Sequence, residues 1–182
     1  FSGDLSHGEE DGAWLAEALR PNYITSDSLV EGVHFNLNTT TPWQLGWKSL
    51  MVNISDLAAH GAKPVGFQFN WSLPRGLSED WLSEFSKGLL SAAQESQCPL
   101  LGGDTTASPG PLFVSVTGLG QVSTVSVQQV ARRNIRTGLS LVVTGFLGDS
   151  LLGWQCLEGK INLKSDVGDW VRQRHLQPRA RL

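Results

Sequence analysis

Apolar residues fall in two rhythms along this chain. Leu45, Leu50, Ile54, Leu57 and Ala58 recur at the spacing of one helix face. Thr41-Pro42 opens that helix with a hydroxyl cap and a proline in the first turn, and Gly61 stops it. Leu82, Phe85, Leu89 and Ala93 form a second stripe. Ser78 starts it, and Glu79 and Asp80 suit the positive end of a helix. Between the two, Phe67, Phe69, Trp71 and Leu73 alternate with small or polar residues, which predicts a strand from Pro64 onward. Residues 22–27 read as a short strand. Pro99-Leu100-Leu101 reads as a brief buried strand that runs into two glycines. Leu112 to Val122 is a longer strand, and Leu139 to Thr144 is another. A helix opens at Gly148-Asp149-Ser150 and reaches about Glu158, and a short one spans about 166–174. The predicted order is β-α-β-α-β-β-β-α-α. It describes an α+β fold, a mixed sheet with helices packed on one face.

At 182 residues the chain can bury a core without disulfides or a structural metal. With 40% hydrophobic and 17% charged residues, it is neither a disordered tail nor a coiled coil. No apolar run approaches the ~18 residues that span a bilayer, and Phe1 to Glu10 lacks the features of a signal peptide. Cys98 and Cys156 read as buried thiols in a reducing compartment. A cytoplasmic protein without a membrane partner is therefore expected. The lack of an initiator Met predicts a fragment. Most of the seven tryptophans are expected in packing.

Charge is uneven. Residues 1–104 hold 13 acidic and 5 basic residues, net −8, and residues 105–182 are net +5. The acidic part argues against a nucleic-acid groove there and is compatible with cations. The basic tail, with Arg172, Arg174, Arg179 and Arg181, reads as solvated surface or linker.

Three aspartates recur in hydroxyl-rich settings: Asp27 in Thr25-Ser26-Asp27, Asp56 in Asn53-Ile54-Ser55-Asp56, and Asp104 in Gly102-Gly103-Asp104-Thr105-Thr106. Carboxylates brought together repel unless a cation lies between them. Oxygen ligands without His or Cys select Mg²⁺ or Mn²⁺, and Mg²⁺ held by few carboxylates completes its shell with water and phosphate. Such a cluster suggests nucleotide phosphates. Taken singly, each Asp can equally be a cap or turn residue. Asp56 resists that reading best, because Ile54, Leu57 and Ala58 flank it. Gly102-Gly103 could let backbone amides approach an anion, although neither a P-loop nor a Gly-x-Gly-x-x-Gly is present. His34 follows a glycine turn, and Phe35 beside it could stack on a ring. His60 lies one turn after Asp56 and pairs with it or faces water. His7 and His175 carry no argument by themselves.

Thr25-Ser26-Asp27-Ser28-Leu29-Val30-Glu31-Gly32-Val33-His34-Phe35 closely resembles the hallmark segment of the thiamine-monophosphate kinase family. Trp47 to Ala62, Leu101 to Thr106 and Val143 to Ser150 are similar to its later segments, in the same order. The wider superfamily includes aminoimidazole ribonucleotide synthetase and selenophosphate synthetase. The resemblance implies transfer of the γ-phosphoryl group of ATP to thiamine monophosphate, giving thiamine diphosphate, with several Mg²⁺ ions. It implies the N-terminal domain of the aminoimidazole ribonucleotide synthetase-like fold, a homodimer with a sheet paired across it, and no catalytic side chain beyond metal-assisted positioning. Residues 1–165 would form the ATP- and Mg-binding, dimerising domain. Residues 166–182 would be a linker and the start of a second domain, without which the fragment is inactive. Asp11, Thr25, Ser26, Asp27, Asp56 and Asp104 fall on metal-binding positions. Gly103, Asp104 and Arg132 fall on nucleotide contacts, and His34 on a substrate contact. The family's Gly-Asp-Asp segment reads Glu9-Glu10-Asp11-Gly12 here. Another ATP-dependent enzyme of the superfamily, or a non-catalytic nucleotide-binding or dimerisation module, is the alternative.

Overall fold

The computed structural model describes residues 23–122, 136–163 and 166–182. Four strands, β1 (Tyr23–Val30), β2 (Lys63–Leu73), β3 (Leu100–Ala107) and β4 (Phe113–Gln121), form one sheet in the order β1-β4-β2-β3. β4 is antiparallel to both of its neighbours, and β2 runs parallel to β3. A parallel pair needs a crossover. Helix α2 (Glu79–Glu95) supplies it, and α1 (Pro42–Ala59) joins β1 to β2. Two further helices, α3 (Asp149–Leu157) and α4 (Asp166–Leu176), follow the sheet.

Local chemistry explains the helix starts. Thr41 and Gln44 form a reciprocal capping box: Gln44 N–H donates to Thr41 Oγ1 over 3.3 Å, and Thr41 N–H donates to Gln44 Oε1 over 3.0 Å. Ser78 Oγ accepts from Trp81 N–H over 3.1 Å. The predicted stripes become the core. Leu45, Leu50, Ile54 and Leu57 of α1 and Phe85 of α2 are fully buried, with Phe67, Val114 and Val116 of the sheet beneath them. Phe85 meets the rings of Phe69, Trp71 and Trp81 at centroid distances of 5.0–5.6 Å. Gly46 and Gly88 let α1 and α2 pack backbone to backbone. A methyl on Gly46 would overlap the Phe85 carbonyl, and one on Gly88 would overlap that of Trp43.

The two helices cover one face of the sheet. The other face is rich in hydroxyls, with Ser26 against Thr117 and Ser28 against Ser115, each pair 3.3 Å apart. The mixed sheet with helices matches the expected α+β class. Among the described residues, no helix is long and apolar enough to cross a membrane. Both cysteines are free and buried.

Three sequence expectations are corrected. β1 continues to Val30, so Asp27 lies inside a strand, opposite Val116, rather than at its end. β3 does not stop at Leu101. Gly102 to Thr106 pair with Gln68 to Ser72, so the glycines form strand rather than an anion-cradling loop. A side chain at Gly103 would collide with the Phe69 carbonyl, which is why glycine stands there. Leu139 to Thr144 is not a strand: Leu141 is 97% and Val142 79% exposed. The apolar, β-branched run Leu141-Val142-Val143 is present, but a strand also needs a neighbour to pair its backbone groups. Among the described residues, no strand pairs with this segment.

Candidate functional site

The loop after β1 is built by Gly32, whose φ of +80° closes a tight turn. Gly32 N–H donates to Phe35 O over 2.8 Å, and Phe35 inserts into the core while His34 stays exposed. Val30 N–H donates to His34 Nδ1 over 3.1 Å. The neutral ring must therefore carry its proton on Nε2, which makes His34 a hydrogen-bond donor at its free end.

Alternation in β1 sends Thr25 and Asp27 to the helix-covered face, because Asp27 is level with the buried Val116. Asp56, near the C-terminal end of α1, meets them there. Thr25 Oγ1 donates to Asp56 Oδ2 over 3.0 Å. Partial burial and then the Asp56 charge raise the Asp27 carboxyl above its usual range, while His34 pulls it down. Asp27, Asp56, Thr25 and His34 thus share one neighbourhood. An acid near the negative end of a helix is electrostatically misplaced unless a cation offsets it. His60 makes a 2.9 Å contact to the Asp56 carbonyl and stacks on Tyr23 at 4.5 Å.

A cavity of about 480 Å³ opens beside His34. The loop residues Phe35 and Asn36 line one side, and Ser150, Leu151, Trp154 and His175 of α3 and α4 line the other. Lys48 stands behind it, with Nζ 3.4 Å from the His34 carbonyl and 3.5 Å from His175 Nε2. His175 Nδ1 lies 3.1 Å from Ser150 Oγ. Sequence reasoning missed Lys48, Ser150, Trp154 and His175. Lys48 carried no signal: two residues before Leu50 and nine before Leu57, it lies across α1 from the buried stripe, and it is half-buried only because the His34 loop and His175 lie against it. Nothing in the sequence marked His175, whose role depends on a partner 127 residues away.

Asp104 does not join the pair. It is level with Asn70, Ser115 and Ser28, on the open face, and β3 is the far edge of the sheet from β1. Three strand spacings separate it from Asp27, about 14 Å. Ser26 also faces the open side, toward Thr117 and the Val116 carbonyl. Asp104 Oδ1 accepts from Thr105 N–H over 2.8 Å. Among the described residues no group of three or more His, Cys, Asp or Glu side chains could hold a metal ion. Asp11 and Arg132 lie outside the described residues.

Residues 10–122 match the family described as AIR synthase related protein, N-terminal domain. The chain belongs to this family. It is 37% identical over 159 residues to the thiamine-monophosphate kinase of Synechococcus elongatus, covering 87% of this chain and 48% of that protein. Among solved structures, thiamine monophosphate kinase from Aquifex aeolicus superposes with a TM-score of 0.76 at 33% identity, over 87% of this chain and 52% of the other. The structure described as AaThiL complexed with AMPPCP and TMP matches with a TM-score of 0.76 at 32% identity, over 86% and 49%. The chain spans about half the length of the curated relatives it matches.

Proposed function

We propose that the full-length protein transfers the γ-phosphoryl group of ATP to thiamine monophosphate, and that residues 1–165 form its nucleotide-, magnesium- and dimer-forming domain, with residues 166–182 leading into a second one. The observation that carries this reading is the grouping of Asp27, Asp56 and Thr25 with His34, which itself lines a cavity. The similarity to kinases, one of them solved with an ATP analogue and thiamine monophosphate, supports it.

The residues present fit a hard divalent ion. Two carboxylates close enough for the charge on one to raise the other, with a hydroxyl beside them, are a donor set for Mg²⁺, which needs one or two protein carboxylates and takes the rest from water and phosphate. When bound, such an ion would neutralise phosphate charge and orient the two reactants. Asp27, Asp56 and Thr25 would hold it from the helix-covered face. Asp11 remains a further candidate ligand.

The chain's own residues then bind and orient. His34 offers Nε2–H to the acceptor, and the cavity faced by Trp154, Leu151 and Phe35 takes its rings. A phosphate oxygen of thiamine monophosphate bonds to the γ-phosphorus as the bond to the β–γ bridging oxygen breaks. ADP leaves with that electron pair. The acceptor is already an anion, so no general base is needed.

A homodimer belongs to this reading. Ser26, Gly103, Asp104 and Arg132 are the remaining candidate contacts. Because Ser26 and Asp104 face away from Asp27, a second copy bringing its β3 toward the first copy's β1 would let one nucleotide touch both sets. A cytoplasmic setting accords with free thiols and ATP. The test is direct. Full-length protein with Mg-ATP and thiamine monophosphate should yield thiamine diphosphate and ADP in equal amounts. ADP formation without thiamine diphosphate would overturn the reading.

A further inference from the structure

The far side of the cavity is closed by polar contacts that phosphoryl transfer does not use. Lys48 Nζ reaches the His34 carbonyl on the β1–α1 loop and Nε2 of His175 on α4, and His175 Nδ1 meets Ser150 Oγ in the first turn of α3. Among the described residues, Lys48 pairs with no carboxylate, and burial lowers its pKa. An ammonium only donates, so its contact to Nε2 requires a lone pair there. The ring proton then sits on Nδ1 and points at Ser150 Oγ. Burial and the Lys48 charge hold His175 down to about 4, against the upward pull of Ser150, so the ring is neutral near pH 7. His34, Ser150 and His175 line the cavity, and Lys48 does not. It touches the walls from behind.

We infer that Lys48 is a positioning residue for the acceptor site, holding the His34 loop in register with α3 and α4 through its joint contacts to the His34 carbonyl and the His175 ring. This rests on the functional reading above only in naming thiamine monophosphate as the acceptor. Backbone bonds hold the turn itself, His34 N–H to Val30 O over 2.9 Å and Gly32 N–H to Phe35 O over 2.8 Å, and Val30 N–H to His34 Nδ1 holds the ring. Among the described residues, only the Lys48 ammonium ties the His34 carbonyl across to α4. Loss of the ammonium would free the His34 carbonyl and let the cavity widen. The Asp27 and Asp56 side of the site would not change.

The test uses full-length protein carrying Lys48→Met, Lys48→Arg or Ser150→Ala. Lys48→Met should raise KM for thiamine monophosphate about tenfold, the effect of losing a hydrogen bond to a charged donor, while KM for ATP stays put. Lys48→Arg, which keeps a charged donor, should recover part of that loss. Nitrogen-15 shifts of the His175 ring at neutral pH should show the Nδ1–H tautomer in wild type and loss of that preference in Lys48→Met. If Lys48→Met does not fold, the exposed Ser150→Ala carries the test, with a rise of about threefold in KM for thiamine monophosphate alone. Parallel rises in both KM values, an unchanged KM for thiamine monophosphate, or an Nε2–H ring in wild type would each overturn the inference. Wild-type protein that fails to phosphorylate thiamine monophosphate would instead overturn the functional reading, and the ring tautomer would still decide whether Lys48 holds the His175 ring.

Discussion

Asp27 sits inside β1 with the Asp56 carboxylate close enough to raise its pKa, and Asp27→Asn tests what that proximity does. A carboxyl whose folded pKa lies above its ordinary 3.8 stabilises the fold only while protonated. That contribution is complete below about pH 3.8 and is lost as pH rises through the raised folded value. At neutral pH the ionised Asp27 therefore opposes folding of the metal-free protein. Asn keeps the shape without the charge. Asp27 is only partly buried, so solvent screens much of the repulsion, and relief of about 0.5 kcal/mol is expected. That corresponds to roughly 1–2 °C in Tm. The gain should shrink toward zero as pH falls below about 3.8, where the Asp27 carboxyl is protonated and as uncharged as the asparagine. Function runs the opposite way. At Mg-ATP a hundredfold above its Kd, wild type should gain about 2.7 kcal/mol, and Asp27→Asn should gain almost none. Differential scanning calorimetry of both proteins, with and without Mg-ATP, reads all of this. An Asp27→Asn protein less stable than wild type without ligand at pH 7, or equally shifted by Mg-ATP, would refute the reasoning.

If each site combines Asp27 of one copy with Asp104 of the other, Asp27→Asn and Asp104→Asn should each be inactive. An equal mixture should recover about a quarter of wild-type activity, since half the dimers are mixed and each has one intact site. Gly88→Ala should destabilise the protein by about 1–3 kcal/mol in urea denaturation, because the new methyl overlaps the Trp43 carbonyl and α1 and α2 must part. A neutral or stabilising result there would mean that the helix contact is loose.

Much of this architecture was legible in the sequence because it rests on local rules. The stripes of α1 and α2, their Thr41 and Ser78 caps, and the alternation in β2 depend on neighbours a few residues apart. The failures occur where a distant partner decides. Leu139 to Thr144 has strand composition, but no strand among the described residues pairs with it. Gly102-Gly103 looks like a loop until β2 is placed against it. The aspartates show the same limit. Asp27 and Asp56 meet because α1 packs on β1, a contact that amphipathic patterning foretells. Asp104 lies at the other edge because the strand order is β1-β4-β2-β3, and order is set by crossovers rather than by composition. Neither His175 nor Lys48 had a sequence signal, because Lys48 lies across α1 from the buried stripe and meets His175 from 127 residues away.

In the proposed reaction, the Asp27 and Asp56 carboxylates would grip a metal-bound nucleotide. Isothermal titration of the full-length protein with Mg-ATP, on wild type and Asp56→Asn side by side, addresses that grip most directly. Saturable binding by wild type that vanishes without Mg²⁺ and falls at least tenfold in Asp56→Asn is the predicted result. Equal binding by the two proteins would contradict it.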